Sequence, residues 1–368
     1  MDFDLNDDQR MIKDSVERLV ADRYGFEQRK ALLASPEGWS REMWGQMAEQ
    51  GLLGVSFSEE HGGIGGGPVE TMLIAEAFGK GLVVEPYFAT VVLGAALIRH
   101  AGSAEQQAAY LPLVAEGKLL LGFAHHERAA RYDLSHVAAS AHDHDGVWYI
   151  DGEKSLVLHG DCADKLIVSA RTHDGIGLFV VDATKVTRRG YATQDGLRAA
   201  EVSFDHAEAE ALLSADAFSA IARTIDEAIA FLCAEAVGAM GEMHDITVDY
   251  MKTRKQFGRA IGEFQVLQHR AVDMLVNLEQ ARSMALYATM MAAEPDSAVR
   301  APAISAAKVQ IGRSGRLIGQ EAVQLHGGIA MTMEYKVGHY FKRMTMIEKA
   351  FGDTETHLAR VAALGGAL

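Results

Sequence analysis

The sequence predicts a mainly helical chain with a β-rich middle: a helical segment, a small β-barrel or sandwich, then a four-helix bundle. Three observations carry this. Apolar residues in the first 120 or so positions recur at spacings of three and four, the signature of amphipathic helices. Between about Leu120 and Leu213 they give way to short β-branched and aromatic runs bounded by Gly, Asp and His, which read as strands. From about Asp216 long helical patterns continue to the end. The expected domains are 1–120, 121–214 and 215–368, a number that suits 368 residues.

The elements follow in order. Met11, Ile12, Val16, Leu19 and Val20 mark one face of a first helix, and a second starts near Ser40 with Met43, Trp44, Met47 and Leu52 on its face. Five glycines between Gly62 and Gly67 miss the GxGxxG spacing, because Pro68 takes the last required place. They read as a flexible turn before a helix around Thr71 to Phe78 and not as a dinucleotide site. Pro86 disfavours helix at the residue before it, and an apolar helix follows from Val91 to His100. VWYIDGEKSLVL, DKLIVSAR and GLFVVD look like successive antiparallel strands. Helices are then expected over Ile225 to Lys252, Glu263 to Met291, Ala301 to Gln324 and Glu334 to Lys349. At 1.5 Å per residue such helices span about 38 Å, enough for a bundle.

Composition excludes several classes. Apolar residues make up 49% and charged residues 23%, the balance of a packed globular chain. The charge of −15, from 35 basic and 50 acidic residues, repels a phosphate backbone, so nucleic-acid binding is not expected. Cys162 and Cys233 form no CxxC pair, which points to a reducing compartment. The acidic N-terminus does not resemble a secretory signal, and no run of about 18 apolar residues suggests a membrane span. The expectation is a cytoplasmic protein. His125 and His126 are adjacent in a strand and face opposite ways, while His142-Asp143-His144 precedes Gly146 and reads as a polar hairpin, so no metal site is expected. No GxSxG elbow supports hydrolase chemistry.

Three stretches in this order, GLLGVSFSEEHGG, RKQFGRAIGEFQVLQH (Arg254 to His269) and QLHGGIAMTMEY (Gln324 to Tyr335), resemble the acyl-CoA dehydrogenase family over essentially the whole chain. With the ending FGDTETHLARVA, the detail is similar to the smaller-subunit type of bacterial pimeloyl-CoA and related dehydrogenases. The resemblance implies FAD held between the β domain and the bundle, with parts of each site supplied by a neighbouring subunit. It also implies α,β-desaturation of an acyl-CoA thioester, with electrons passed to an electron-transferring flavoprotein. Assembly as a homodimer or homotetramer, or as a heterotetramer with a second dehydrogenase chain, is implied as well.

Site residues carry over by motif. The resemblance sets Arg254 against the FAD diphosphate, which a planar guanidinium suits, and Phe257 against the cofactor. A solvated basic helix end is the plainer alternative. Gln324, Gly327 and Gly328 are expected to contact the cofactor, although a helix closed by glycine accounts for the same residues. In FAHHERAARYD, His126 and Arg128 replace the family's Thr and Pro while Glu127 agrees, leaving backbone N–H groups of Ala124 to Glu127 as the flavin contacts. Leu156, Val157 and Leu158 stand where the family has Trp-Ile-Thr. Thr354 matches the Thr of its Tyr-Glu-Gly-Thr segment.

The base of that segment is missing: Gly352 occupies the Glu position. Ala228 occupies the alternative position on the long helix, with Glu227 turned elsewhere. Asp353 is the nearest candidate base, and an N-cap for the helix from Glu355 is its competing role. Glu348 is expected to be solvated. Besides desaturation, two readings stay open: a non-catalytic or half-site subunit of a heteromeric dehydrogenase, and a flavoprotein of the same fold with oxidase or monooxygenase chemistry.

Overall fold

The computed structural model describes residues 4–212 and 216–365; the expected boundary between 214 and 215 lies outside them. Asn6 starts α1 (Asp7–Arg23) by accepting from the Gln9 N–H, and the Gln9 amide accepts from the Asn6 N–H, a reciprocal cap. Val16, Leu19 and Val20 are buried as their spacing requires, while Met11 is exposed. Next come α2 (Phe26–Ala34) and α3 (Arg41–Glu49), the latter capped by the Ser40 hydroxyl accepting from Met43 N–H. The glycine run forms the turn before the next helix, and Gly65 and Gly66 donate back to the Phe57 and Val55 carbonyls. After α4 (Pro68–Gly81), the expected helix from Val91 is instead a π-helical stretch, Phe88–Ala95, followed by α5 (Ala96–Ala101) and α6 (Ala104–Ala115).

The described chain forms two compact units. One contains 4–29, 68–83 and 229–365. Its helices are α1, α4, the later part of α7 (Ala217–Thr253), α8 (Gln265–Ala292), α9 (Ser297–His326), α10 (Lys336–Lys349) and α11 (Thr354–Ala363). The four long predicted helices are all present; α7 and α9 run longer than the periodicity suggests, and α8 and α10 slightly shorter. Helix α9 is central, packed by α8, α10 and α11. Met344 and Phe341 of α10 settle against Gly315 and Gly319. Helices α4 and α7 touch backbone to backbone: a Cβ on Gly79 would lie 1.8 Å from the Glu235 carbonyl oxygen, and one on Gly238 1.9 Å from that of Glu76. Only glycine permits this approach.

The other unit, 30–67 and 84–228, holds the strands β1 (Leu121–Ala124), β2 (Ser140–His144), β3 (Val147–Leu158), β4 (Lys165–Thr172), β5 (Gly175–Asp182), β6 (Thr187–Ala192) and β7 (Arg198–Ala211). Pairings run β4–β2–β3–β7–β5 and back to β4, a closed ring, with β1 added on β4 and β6 on β7. The barrel alternative is thus the one adopted. Not all pairs are antiparallel, however. Strand β1 runs parallel to β4, and so does the one bridge that joins β2 to β4, Ser140 with Arg171. Ile150, Leu166, Val168, Phe179, Val181, Val202 and Phe204 fill the interior. Among the described residues no helix is long and apolar enough to cross a membrane.

Glu85 is buried in this unit and accepts a bond from Ser40 N–H. Burial raises its carboxyl from the ordinary 4.5 to about 7, against the pull of that bond. The folded state therefore holds this proton more tightly than the unfolded one, and stability falls as pH rises from 4.5 through 7. At about 1.4 kcal/mol per pH unit, the cost above pH 7 is about 3 kcal/mol at most. Glu85→Gln should accordingly stabilise the chain at pH 8 and make no difference at pH 4. Urea unfolding at the two pH values checks this, and equal effects at both would refute it.

Candidate functional site

Helix α7 ends at Thr253, and the chain turns at once into a two-stranded hairpin, β8 (Lys255–Gln256) and β9 (Arg259–Ala260). The Ile261 N–H donates to the Arg254 carbonyl and closes its base. The two turn residues, Phe257 and Gly258, have φ of 54° and 83°, the paired positive values of a tight hairpin turn. Glycine takes this conformation freely, whereas an aromatic residue rarely does. Strain is thus spent to hold the Phe257 ring at the tip, where it is 92% exposed. A side chain of that size held out in this way is placed to meet something else.

Beneath the hairpin lies a cavity of about 490 Å³, lined by Tyr250, Arg254, Phe257, Ile261, Phe264, Leu267 and residues 324–328 among others. Arg254, Phe257, Gln324, Gly327 and Gly328 therefore meet in one place, although two separate motifs supply them. Gly327 ends α9 with φ of 67°, so the helix-terminus role and the cavity-lining role coincide. Neither Gly327 nor Gly328 has a neighbour within 4 Å of a built Cβ; both present bare backbone to open space.

The QLHGG motif by itself gives His326 no role. It is buried, and its Nδ1 lies 2.8 Å from the Ala322 carbonyl, which can only accept. Nδ1 therefore carries the proton, and Nε2 is left as a buried acceptor with no partner. Burial lowers the ring's pKa and keeps it neutral. The rings of Tyr250 and Tyr335, at 4.4 and 5.1 Å, hold it in place. A guanidinium, an amide, a neutral imidazole acceptor, bare backbone and apolar walls suit an anionic group joined to a heteroaromatic one. The diphosphate and adenosine of FAD have this chemistry, so the residues fit that part of the cofactor.

Ala124 and Glu127 lie in the β-barrel unit, where a polar clamp fixes the segment between them. Lys154 Nζ donates to the Glu127 carboxylate at 2.7 Å, to the His125 carbonyl and to the Ser169 hydroxyl. Ser155 N–H donates to the His126 carbonyl. The Glu127 carboxylate also accepts from the Ala138 and Ala139 N–H groups. Burial alone would raise the Glu127 carboxyl, but Lys154 and these N–H donors hold it below its ordinary range. His125 bonds Ser169 at 2.8 Å, and burial with the nearby Lys154 lowers it to about 3. The Glu127 side chain is thus engaged within its own unit, leaving backbone as what this segment offers a ligand.

The base positions are now concrete. Asp353 caps α11: its carboxylate accepts from the Thr356 hydroxyl at 2.7 Å and N–H at 3.0 Å, with Lys349 at 3.3 Å. These bonds lower its pKa to about 2, far from the value that suits a general base near neutrality. Its competing role is the one the geometry favours. Ala228 is buried, and Glu227 pairs with Arg99, His100 and Arg223. Glu348 is not solvated as expected but buried, bonded to Arg316, Lys349 and the Thr354 N–H. Thr354 packs against Gly312 of α9, and its hydroxyl is buried without a partner.

Sequence models described as acyl-CoA dehydrogenase N-terminal and C-terminal domains match residues 6–118 and 218–365. Acyl-CoA dehydrogenase IpdE2 of Mycobacterium tuberculosis is 29% identical over 92% of this chain and 91% of its own length. The structure named Tcur3481-Tcur3483 steroid ACAD G363A variant superposes with a TM-score of 0.89 at 28% identity, covering 97% of each chain. A structure named for the electron transferring flavoprotein of Acidaminococcus fermentans gives 0.89 at 27%, covering 98% of each. These relatives do not single out the smaller-subunit type.

Two variants test the local assignments. Lys154→Met leaves a buried carboxylate without its counter-charge and should cost about 3–5 kcal/mol in urea unfolding; a loss below about 1 kcal/mol would show that the clamp contributes little. Asp353→Asn keeps a good cap and removes basicity. It should melt like the parent and leave anaerobic flavin reduction by an acyl-CoA unchanged in any preparation that shows it. Lost reduction with FAD retained would instead make Asp353 the base.

Proposed function

The chain belongs to the acyl-CoA dehydrogenase family, FAD-dependent oxidoreductases acting on CH–CH donors, and from that premise we propose that it takes part in α,β-desaturation of an acyl-CoA thioester, with electrons passing to an electron-transferring flavoprotein. The single observation supporting this most is the cavity that gathers Arg254, Gln324, Gly327 and Gly328 around the unpartnered His326 Nε2. When bound, FAD supplies hydride acceptance. The chain's residues bind and orient it. Arg254 grips the diphosphate with paired N–H donors, Gln324 and His326 answer polar groups of the adenosine, and the two glycines admit the cofactor close to backbone. Phe257 covers it or reaches the site of a neighbouring copy. The Thr354 hydroxyl and, within the barrel unit, the Ala124–Glu127 backbone are further groups we propose as cofactor contacts. The three segments 1–120, 121–214 and 215–368 remain the proposed domains, assembled as a homodimer, homotetramer or heterotetramer.

A specific observation favours a second reading, in which the chain is a half-site subunit. Desaturation needs a carboxylate to take the α-proton, yet Gly352 and Ala228 stand at the two family positions and Asp353 is spent on a cap. A companion dehydrogenase chain would then supply the base. The purified chain separates the two readings. If it is yellow alone and bleaches anaerobically with an acyl-CoA, it holds a base of its own; if it bleaches only after a companion chain is added, it is the half-site subunit.

Arg254→Ala should weaken FAD retention about tenfold to a hundredfold, the worth of a charge-assisted bond, and loosen the oligomer in parallel. FAD content per chain and sedimentation velocity measure both. Unchanged cofactor content would reduce Arg254 to surface charge.

A further inference from the structure

The outer face of the barrel carries a group of side chains that the cofactor chemistry does not use. His142 on β2 and Asp151 on β3 lie diagonally across an antiparallel pair, since His142 faces Tyr149 and Ser140 faces Asp151. Ala141 and Ile150 point into the core, so His142 and Asp151 point outward. The third member arrives by an irregularity. On the β3–β7 ladder Ile150 pairs with Ala207 and Gly152 with Phe204, so Asp205 and His206 both stand opposite Asp151, a β-bulge. Counted back from buried Ala207, His206 takes the outward face beside Asp151, and the extra residue lets Phe204 turn inward as well. The backbone absorbs the insertion at His206, where φ is 49°, so its ring lies outside while Phe204 and Ala207 are both buried.

The bulge has a purpose-built support. One Asp151 oxygen, Oδ1, accepts from the His206 N–H at 2.7 Å. The other, Oδ2, lies 3.7 Å from His142 Nδ1. One ligand atom from each of His142, Asp151 and His206 lies within 4.8 Å of the other two. Two ligands on one tetrahedral ion, with bonds of about 2.0–2.2 Å, sit about 3.4 Å apart, so small side-chain rotations close the set. Tyr149 stacks on the His206 ring at 4.0 Å and 5°, fixing its plane. The hydrogen bond to Oδ1 orients the carboxylate as outer-shell partners of metal ligands do.

We propose that His142, Asp151 and His206 bind a divalent transition-metal ion such as Zn²⁺, with water completing the shell, and so staple β2, β3 and β7 together. Two imidazoles and one carboxylate are the ligands that borderline metals prefer, and Mg²⁺ or Ca²⁺ would be held poorly. The expected hairpin from His142 to Gly146 is present, but the metal partner of His142 is His206, far away in sequence, and not His144.

The test uses the full chain with FAD bound, freed of metal by dialysis. Titration with ZnCl₂ followed by calorimetry should show one saturable equivalent per chain. His206→Asn, which tolerates the left-handed backbone, and Asp151→Asn, which still accepts the His206 N–H bond, should each weaken it about tenfold or more. Co²⁺ titration of the parent should give a visible band above the flavin absorption that saturates at one equivalent, a result that needs no variant to fold. Weak, unsaturable binding in the parent, or affinity within about twofold of the parent in both variants, would mean an adventitious ion only and overturn the site.

Discussion

The ion pair between Lys154 and Glu127 is the constraint on which the barrel segment proposed to meet the cofactor depends. Sealed from water, it holds three things at once: the carbonyl of His125, the return of the chain at Ala138 and Ala139, and the strand that carries Ser155. A buried pair is costly to desolvate and need not add net stability over an apolar substitute. Its contribution here is positional. The backbone from Ala124 to Glu127 is tied from both sides, which is what a segment must be if it is to meet a cofactor through N–H groups without useful side chains.

In the helical unit the corresponding economy is of space. Glycines let α4 and α7 touch at the backbone and let α10 side chains sink against α9, so the helix that ends in Gln324–His326 is fixed in depth and rotation. The cavity at that end inherits the precision. Its walls come from the hairpin after α7, the start of α8 and the end of α9, three places that only packing unites.

Much of this was legible locally. Helix faces show because 3.6-residue periodicity is written in the apolar residues; Asp353 shows as a cap because a short oxygen-bearing side chain before a helix has few other uses. The pairing of β1 with β4 in parallel does not show, since a strand's partner lies outside its own residues. Glu348 looks solvated on its helix and is buried because α9 and α11 cover it. His326 stands inside the QLHGG motif, yet its unpartnered nitrogen results from Ala322 occupying Nδ1 and from rings contributed by Tyr250 and Tyr335. The shared inward face of Phe204 and Ala207, which frames Asp205 and His206, depends on a bulge that no two-residue periodicity reveals.

The barrel closes on one bridge where β2 meets β4, whereas β3 and β7 are joined along most of their lengths. A cylinder fastened so unevenly has a seam. With fewer ladder bonds to break, the join beside Ser140 and Arg171 is expected to exchange its amide protons sooner than the β3–β7 spine. The clamp around Lys154 and Glu127 holds Ala138, Ala139 and Ser169 right beside that bridge, so the firmest polar anchor of the wall stands next to its narrowest join.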